Sequence, residues 1–245
     1  HNNLGNVLHE LGEFQKAISC CKKAIQINPN FAGTHNNLGL IFKELGEFQK
    51  AMGCYEKAIQ IQPNFVDAHN NLGAVYFELG KHQKAISCYK KVIQIEPNNL
   101  TSHWLSMNTF PIIYKDLKEI DLYRKKFEDD TKKINHLLDT QYQYTKKQIV
   151  DAMKSSTNFY LSYQGRNDIN LQQKYANLIE RLTEKIYPQF HQERTINKSK
   201  KIIKIGFVSS FFKNHTISIL LKNWIIKLNR NFFSIFVYYI GNKFD

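Results

Sequence analysis

Apolar residues in the N-terminal part of the chain recur at helical spacing on short paired segments. Leu38, Ile41, Phe42 and Leu45 fall on one face of a first segment, and Ala51, Tyr55, Ala58 and Ile59 on one face of a second, the three-to-four-residue step of an amphipathic helix. The pair is itself repeated. His1-Asn2-Asn3-Leu4-Gly5 returns as His35-Asn36-Asn37-Leu38-Gly39 and again as His69-Asn70-Asn71-Leu72-Gly73, a step of 34 residues each time. Gly12, Gly46 and Gly80, each after a Leu, keep that step, as do Ala17, Ala51 and Ala85, and Pro29, Pro63 and Pro97. The glycines predict the end of each first helix, where a left-handed backbone is needed. The prolines predict the end of each second helix, because proline lacks an amide donor and clashes with the preceding turn. Each hairpin leaves an apolar face that only its neighbour can cover, so the segments are expected to stack as a solenoid.

A period of 34 with Leu-Gly early, Ala in the middle and Pro at the end resembles the tetratricopeptide repeat (TPR). The resemblance implies that the first helix of each repeat lines a concave groove, and Asn3, Asn37 and Asn71 stand just before the Leu-Gly pairs. Three amides there offer donors and acceptors to the backbone of an extended peptide acceptor. A solvent-facing polar position or a local cap accounts for the same spacing. Cys20, Cys54 and Cys88 share one repeat position, and stacked helices hold such positions about 8–10 Å apart, too far for a disulfide. Free thiols are the expectation, and a reducing, cytoplasmic setting fits them. The periodic His and Cys residues are spread one per repeat, so they do not converge on a tetrahedral metal ion.

Periodicity changes after Pro97. A fourth Leu-Gly pair would fall at Ser106-Met107, and Pro111 interrupts, so the register is read as failing there, with His103 to Phe110 forming a capping helix. Ile120, Tyr123, Phe127, Ile134 and Leu138 predict a long amphipathic helix, and Leu171, Tyr175, Leu178, Leu182 and Ile186 another, with Asp168 as its N-cap and Pro188 as its end. The aromatic stretch from Asn158 to Gly165 is expected to pack. Ile202 to Val208 is a β-branched run that predicts a buried strand. A loop from Ser209 to Thr216 follows, then a helical pattern through Leu220, Leu221, Trp224, Ile225 and Leu228, then a strand from Phe233 to Ile240. This β-loop-α-β order opens a parallel α/β sheet, and one such unit cannot build a two-faced core, so the lobe is expected to be truncated at Asp245. The fold class is therefore mostly α, divided as 1–99 (three repeats, the first incomplete), 100–200 (helical connector) and 201–245 (start of an α/β lobe).

Composition narrows the function classes. No apolar run approaches the roughly 18 residues that cross a bilayer. The net charge of +13 is uneven: residues 1–98 hold 10 Lys/Arg and 8 Asp/Glu, leaving 24 and 13 for residues 99–245. Most of the excess is Lys scattered among Ile, Asn, Phe and Tyr without interleaved aromatic and basic motifs, so a solvated lysine surface accounts for it better than a nucleic-acid interface.

Repeats, a helical stretch, then Lys204-Ile205-Gly206-Phe207-Val208-Ser209-Ser210 with Asn214-His215 resemble the O-linked N-acetylglucosamine transferases of glycosyltransferase family 41, bacterial members included. The resemblance implies a two-lobe, GT-B-like enzyme that moves N-acetylglucosamine or a related sugar from a UDP-sugar to Ser/Thr of proteins presented by the repeat groove. It implies no metal or other cofactor, and no Asp-x-Asp motif is present. Residues 1–245 lack the second lobe that binds most of the nucleotide sugar, so they are expected to be inactive alone. His215 is the candidate catalytic residue, and Ser209, Ser210, Asn214 and Thr216 the candidate active-site loop. Such a loop lies off the carboxyl end of a strand and at the start of a helix, where an imidazole can orient a hydroxyl, exchange a proton or donate to a phosphate. A loop histidine or helix cap fits the same position. Phe211, Lys213 and Thr216 stand where the family commonly has Asp, a small residue and Pro. The alternative is a TPR adaptor without catalysis.

Overall fold

The computed structural model describes residues 1–191, 202–209 and 225–239. Its contacts divide the chain into two units, 1–191 and 192–245. The first unit is helical. Three hairpins come first: α1 (Asn2–Glu10) with α2 (Phe14–Ile27), α3 (Ala32–Glu44) with α4 (Phe48–Ile61), and α5 (Val66–Glu78) with α6 (His82–Ile95). Each first helix ends at a glycine with positive φ, +75° at Gly12, +72° at Gly46 and +69° at Gly80. Each second helix ends two residues before its proline.

The second and third hairpins each close on one large-to-small match. Tyr55 and Tyr89 are sealed from solvent, and each packs against a glycine on the first helix of its own hairpin. A Cβ added to Gly39 would stand 2.6 Å from the Tyr55 ring, and one on Gly73 2.5 Å from Tyr89. These are overlaps that only displacement of the ring could relieve. Successive hairpins then join through α2 to α3 and α4 to α5, and the first helices also pack on one another, α1 on α3 and α3 on α5. First helices therefore form the inner layer of the array.

The repeat register continues past Pro97. Helix α7 (Leu100–Met107) begins 34 residues after α5, as α5 does after α3, and it packs on α6 as α5 does on α4. His103, one step beyond His69, makes the same bond as its counterparts. The ring Nε2 of His35, His69 and His103 lies 2.9 Å from the carbonyl oxygen of Pro29, Pro63 and Pro97 respectively. The expected break at Pro97 is thus corrected: the motif residues Leu and Gly are lost, but a fourth first helix remains, because the His to Pro bond and the apolar stacking face persist.

Three further helices close the open end: α8 (Leu117–Asp139), α9 (Lys146–Ser155) and α10 (Ile169–Ile186). Asp116 caps α8 through Glu119 N at 2.8 Å, and Thr145 with Gln148 forms a capping box on α9. Asp168 precedes α10 but its side chain does not cap it. Arg124 on α8 takes that carboxylate and also bonds the Asn167 carbonyl at 2.7 Å, a pairing in which both donor and acceptor are ionised at the carboxylate. The aromatic stretch forms a 3-10 turn, Phe159–Gln164. It packs only in part, since Leu161 is buried while Phe159 and Tyr163 are exposed. One apolar cluster joins Ile86 and Leu100 to Phe127, Ile149, Leu161 and Leu178, so array and connector share a core.

In the second unit β1 (Ile203–Ser209) pairs in parallel with β2 (Phe233–Tyr239), from Ile203 opposite Phe233 to Ser209 opposite Tyr239. Residues 225–227 are helical. The expectation of a buried strand at Ile202 to Val208 is not met in the described residues, where Ile205 and Phe207 are half-buried; on β2, Phe236, Val237 and Tyr238 are exposed. A two-stranded pair leaves its faces open unless other layers cover them.

Candidate peptide-binding groove

The asparagines sit on the inner layer and bond from repeat to repeat. Asn37 Nδ2 donates to Asn2 Oδ1 at 3.1 Å, and Asn71 Nδ2 donates to Asn36 Oδ1 at 3.0 Å. The second asparagine of each repeat is thereby tied to the first asparagine of the repeat before. In the fourth register position Asn70 is followed, 34 residues on, by Trp104, and the run ends with Ser102 Oγ donating to Asn70 Oδ1 at 2.9 Å.

This arrangement decides what the three predicted amides can offer. Asn37 and Asn71 are half-buried and have committed one donor, which leaves their Oδ1 atoms as acceptors for a ligand N–H. Asn3 is exposed and its side chain makes no hydrogen bond among the described residues. The inter-repeat bonds also hold the two inner amides in one orientation, so the acceptors are set before a ligand arrives.

The cysteines are free. Burial pushes Cys54 and Cys88 up to about 11, so these thiols stay protonated at neutral pH and are poor nucleophiles and poor metal ligands. Among the described residues no three His, Cys, Asp or Glu side chains converge on a point, and no helix is long and apolar enough to cross a membrane. Ser209 is the last residue of β1. Ser210, Asn214, His215 and Thr216, with Phe211 and Lys213, lie outside the described residues.

Sequence reasoning placed His103 in a capping helix but missed that it continues the histidine register, and it missed α9. Counting one more step from His69 finds the first, and the Thr-x-x-Gln spacing of a capping box finds the second. It also passed over a departure within the repeats. Glu13-Phe14 and Glu47-Phe48 are replaced in the third repeat by Lys81-His82.

Family models described as TPR repeat and tetratricopeptide repeat match residues 39–80, residues 1–31 and 66–99, and residues 20–52. No curated protein matches the sequence. Among solved structures, a MamA double mutant is 16% identical with a TM-score of 0.53, over 78% of this chain and 94% of that one. A mutant of the O-GlcNAc transferase of Thermobaculum terrenum is 14% identical with a TM-score of 0.50, over 98% of this chain and 36% of that one. The first TPR of Spaghetti (RPAP3), bound to an HSP90 peptide, is 20% identical with a TM-score of 0.39 over 52% of this chain. The chain thus spans about a third of the transferase's length, and its likeness to the MamA and transferase structures shows the fold alone: a mostly helical protein, with the tetratricopeptide repeats that the family models match within residues 1–99 and a small parallel strand pair in its second unit.

Proposed function

We propose that the repeats present protein segments to a glycosyltransferase lobe that begins at β1, and that the protein carrying this chain moves N-acetylglucosamine or a related sugar from a UDP-sugar to Ser/Thr hydroxyls. One observation carries the reading: Gly206-Phe207-Val208-Ser209 is the carboxyl half of a strand paired in parallel with β2. That is the context the motif requires, because ligands of open α/β sheets bind beyond the carboxyl ends of strands. Asn3, Asn37 and Asn71 would receive the backbone of the acceptor. His215 would orient or deprotonate its hydroxyl, with Ser209, Ser210, Asn214 and Thr216 around it.

The test uses the gene product that contains this chain, incubated with UDP-N-acetylglucosamine and Ser/Thr peptides. Sugar transfer is expected, and His215→Ala should lower turnover by about a hundredfold or more with thermal stability unchanged. Undiminished turnover would remove His215 from the mechanism. Peptide capture without any affinity for UDP-sugars would leave the adaptor reading, to which the departures at Phe211 and Thr216 point.

A further inference from the structure

The three repeats serve as an internal alignment, and one departure from it changes charge. Repeats one and two read Gly-Glu-Phe-Gln-Lys-Ala at 12–17 and 46–51, and the third reads Gly80-Lys81-His82-Gln83-Lys84-Ala85. In the first two the glutamate pairs with the lysine three residues on, Glu13 with Lys16 and Glu47 with Lys50. The third repeat has Lys81 in place of the glutamate, so Lys84 has no carboxylate partner among the described residues and lies over the Tyr76 ring, 5.5 Å from its centroid.

The neighbouring turn differs as well. Beside Glu47, Phe48 and Lys50 stands Leu79, half-buried. One register step later its counterpart is Ile113, which is 86% exposed. Lys81, His82, Lys84, Ile113 and Lys115 line a hollow of about 260 Å³ together with Glu119. Glu119 is already engaged, accepting from Lys115 N at 2.7 Å. Three lysines and one carboxylate thus line the hollow, with Ile113 as its exposed apolar side chain. His82 is half-buried with its Nδ1 unpartnered.

We propose that this hollow is a docking site for an acidic peptide segment that carries apolar side chains, its carboxylates meeting Lys81, Lys84 and Lys115 and its apolar groups covering Ile113. Charge complementarity selects the partner: the equivalent hollow of the second repeat is neutral and intact, and only here is the charge reversed next to uncovered apolar surface. The hollow is built on the first turn of a second helix, whereas the asparagines lie on first helices. Its occupant is therefore distinct from a peptide held in the groove, and the proposal stands whether or not the protein is a transferase.

The variant that tests it is supplied by the protein itself. Lys81→Glu with His82→Phe restores a sequence that already folds twice in this chain. A short fluorescein-labelled peptide alternating Asp and Glu with Leu is titrated by anisotropy, beside an analogue with Asn and Gln for the acids. The wild type is expected to bind the acidic peptide about tenfold or more tightly than the double variant does, and to discriminate against the amide analogue by a similar factor. Equal binding by wild type and variant, or of the two peptides, overturns the proposal. Binding of phosphatidylserine vesicles in place of the peptide, lost in the same variant, overturns the peptide as occupant and assigns the surface to a membrane. Should the double variant fail to fold by its unfolding transition, Lys84→Gln with Lys115→Gln, both exposed, carries the same comparison.

Discussion

Residues 1–99 and residues 100–191 are both helical and share a core, yet they are held together differently. In the repeats each contact is made several times over: a tyrosine on a glycine, a histidine on a proline carbonyl, an asparagine on the asparagine before it. In the connector each contact occurs once. Arg124 joins Asp168, Gln164 and Asn167, and Trp104 joins α7 to the segment after α9 through Ser156. Removing one copy of a repeated contact leaves its neighbours to hold the stack, as expected of a nearly one-dimensional array. Removing a contact made once leaves no copy.

The sharpest way to break this contrast is at Trp104, which is sealed from solvent, donates Nε1 to the Ser156 carbonyl at 3.0 Å and stands 5.6 Å from the Tyr175 ring. Trp104→Ala is expected to cost about 3–5 kcal/mol in urea unfolding. It should also lower protection of α8 to α10 in hydrogen exchange more than that of α1 to α4. A uniform loss along the chain would mean that the repeats are as dependent on the connector as the connector is on them.

The same contrast sets what could be read from the chain alone. The hairpins, their glycine ends and their proline stops were legible because each inference could be checked again at a step of 34 residues. Asp168 misled because a residue before a helix is a cap by local rules, and nothing local announces Arg124, 44 residues earlier. The end of the array misled for a related reason. In the second and third repeats the Leu-Gly motif marks tyrosine packing, and α7 dispenses with it, while the histidine that persists marks a bond to the backbone. For the groove, the positions of Asn37 and Asn71 were legible and their mutual bonds were not, since an amide ladder between repeats depends on which way each side chain turns.

A second effect, of about 3 kcal/mol, is expected at Asp130, another contact made once. This buried carboxylate accepts from Lys126 at 2.9 Å, Lys133 at 3.0 Å and Ser106 Oγ at 3.3 Å. Burial works to raise its pKa, and the two lysines overcome it and hold the carboxyl below its ordinary value. Because the folded value is depressed, the stability it supplies is present above the unfolded value near pH 4 and is lost as pH falls through the folded one. Asp130→Asn should therefore be much less stable than wild type at pH 7, and the gap should narrow in acid as the wild-type carboxyl protonates. A gap independent of pH would show that packing, and not charge, holds this junction.

The smallest effect sharpens the comparison from inside the repeats. His35, His69 and His103 make one bond three times, at one distance, but His103 is where the array meets the connector, with Asp130 and Lys133 close enough to act on its ring. Replacing any of the three by Leu removes a hydrogen bond to a proline carbonyl, worth about 0.5–1.5 kcal/mol. If position in the array governs the response, His69→Leu, flanked by intact copies on both sides, should lie at the low end of that range and His103→Leu at the high end in parallel urea titrations. Equal losses at the two sites would mean that the bond has the same worth wherever it is made, and that the fourth first helix behaves as one more repeat.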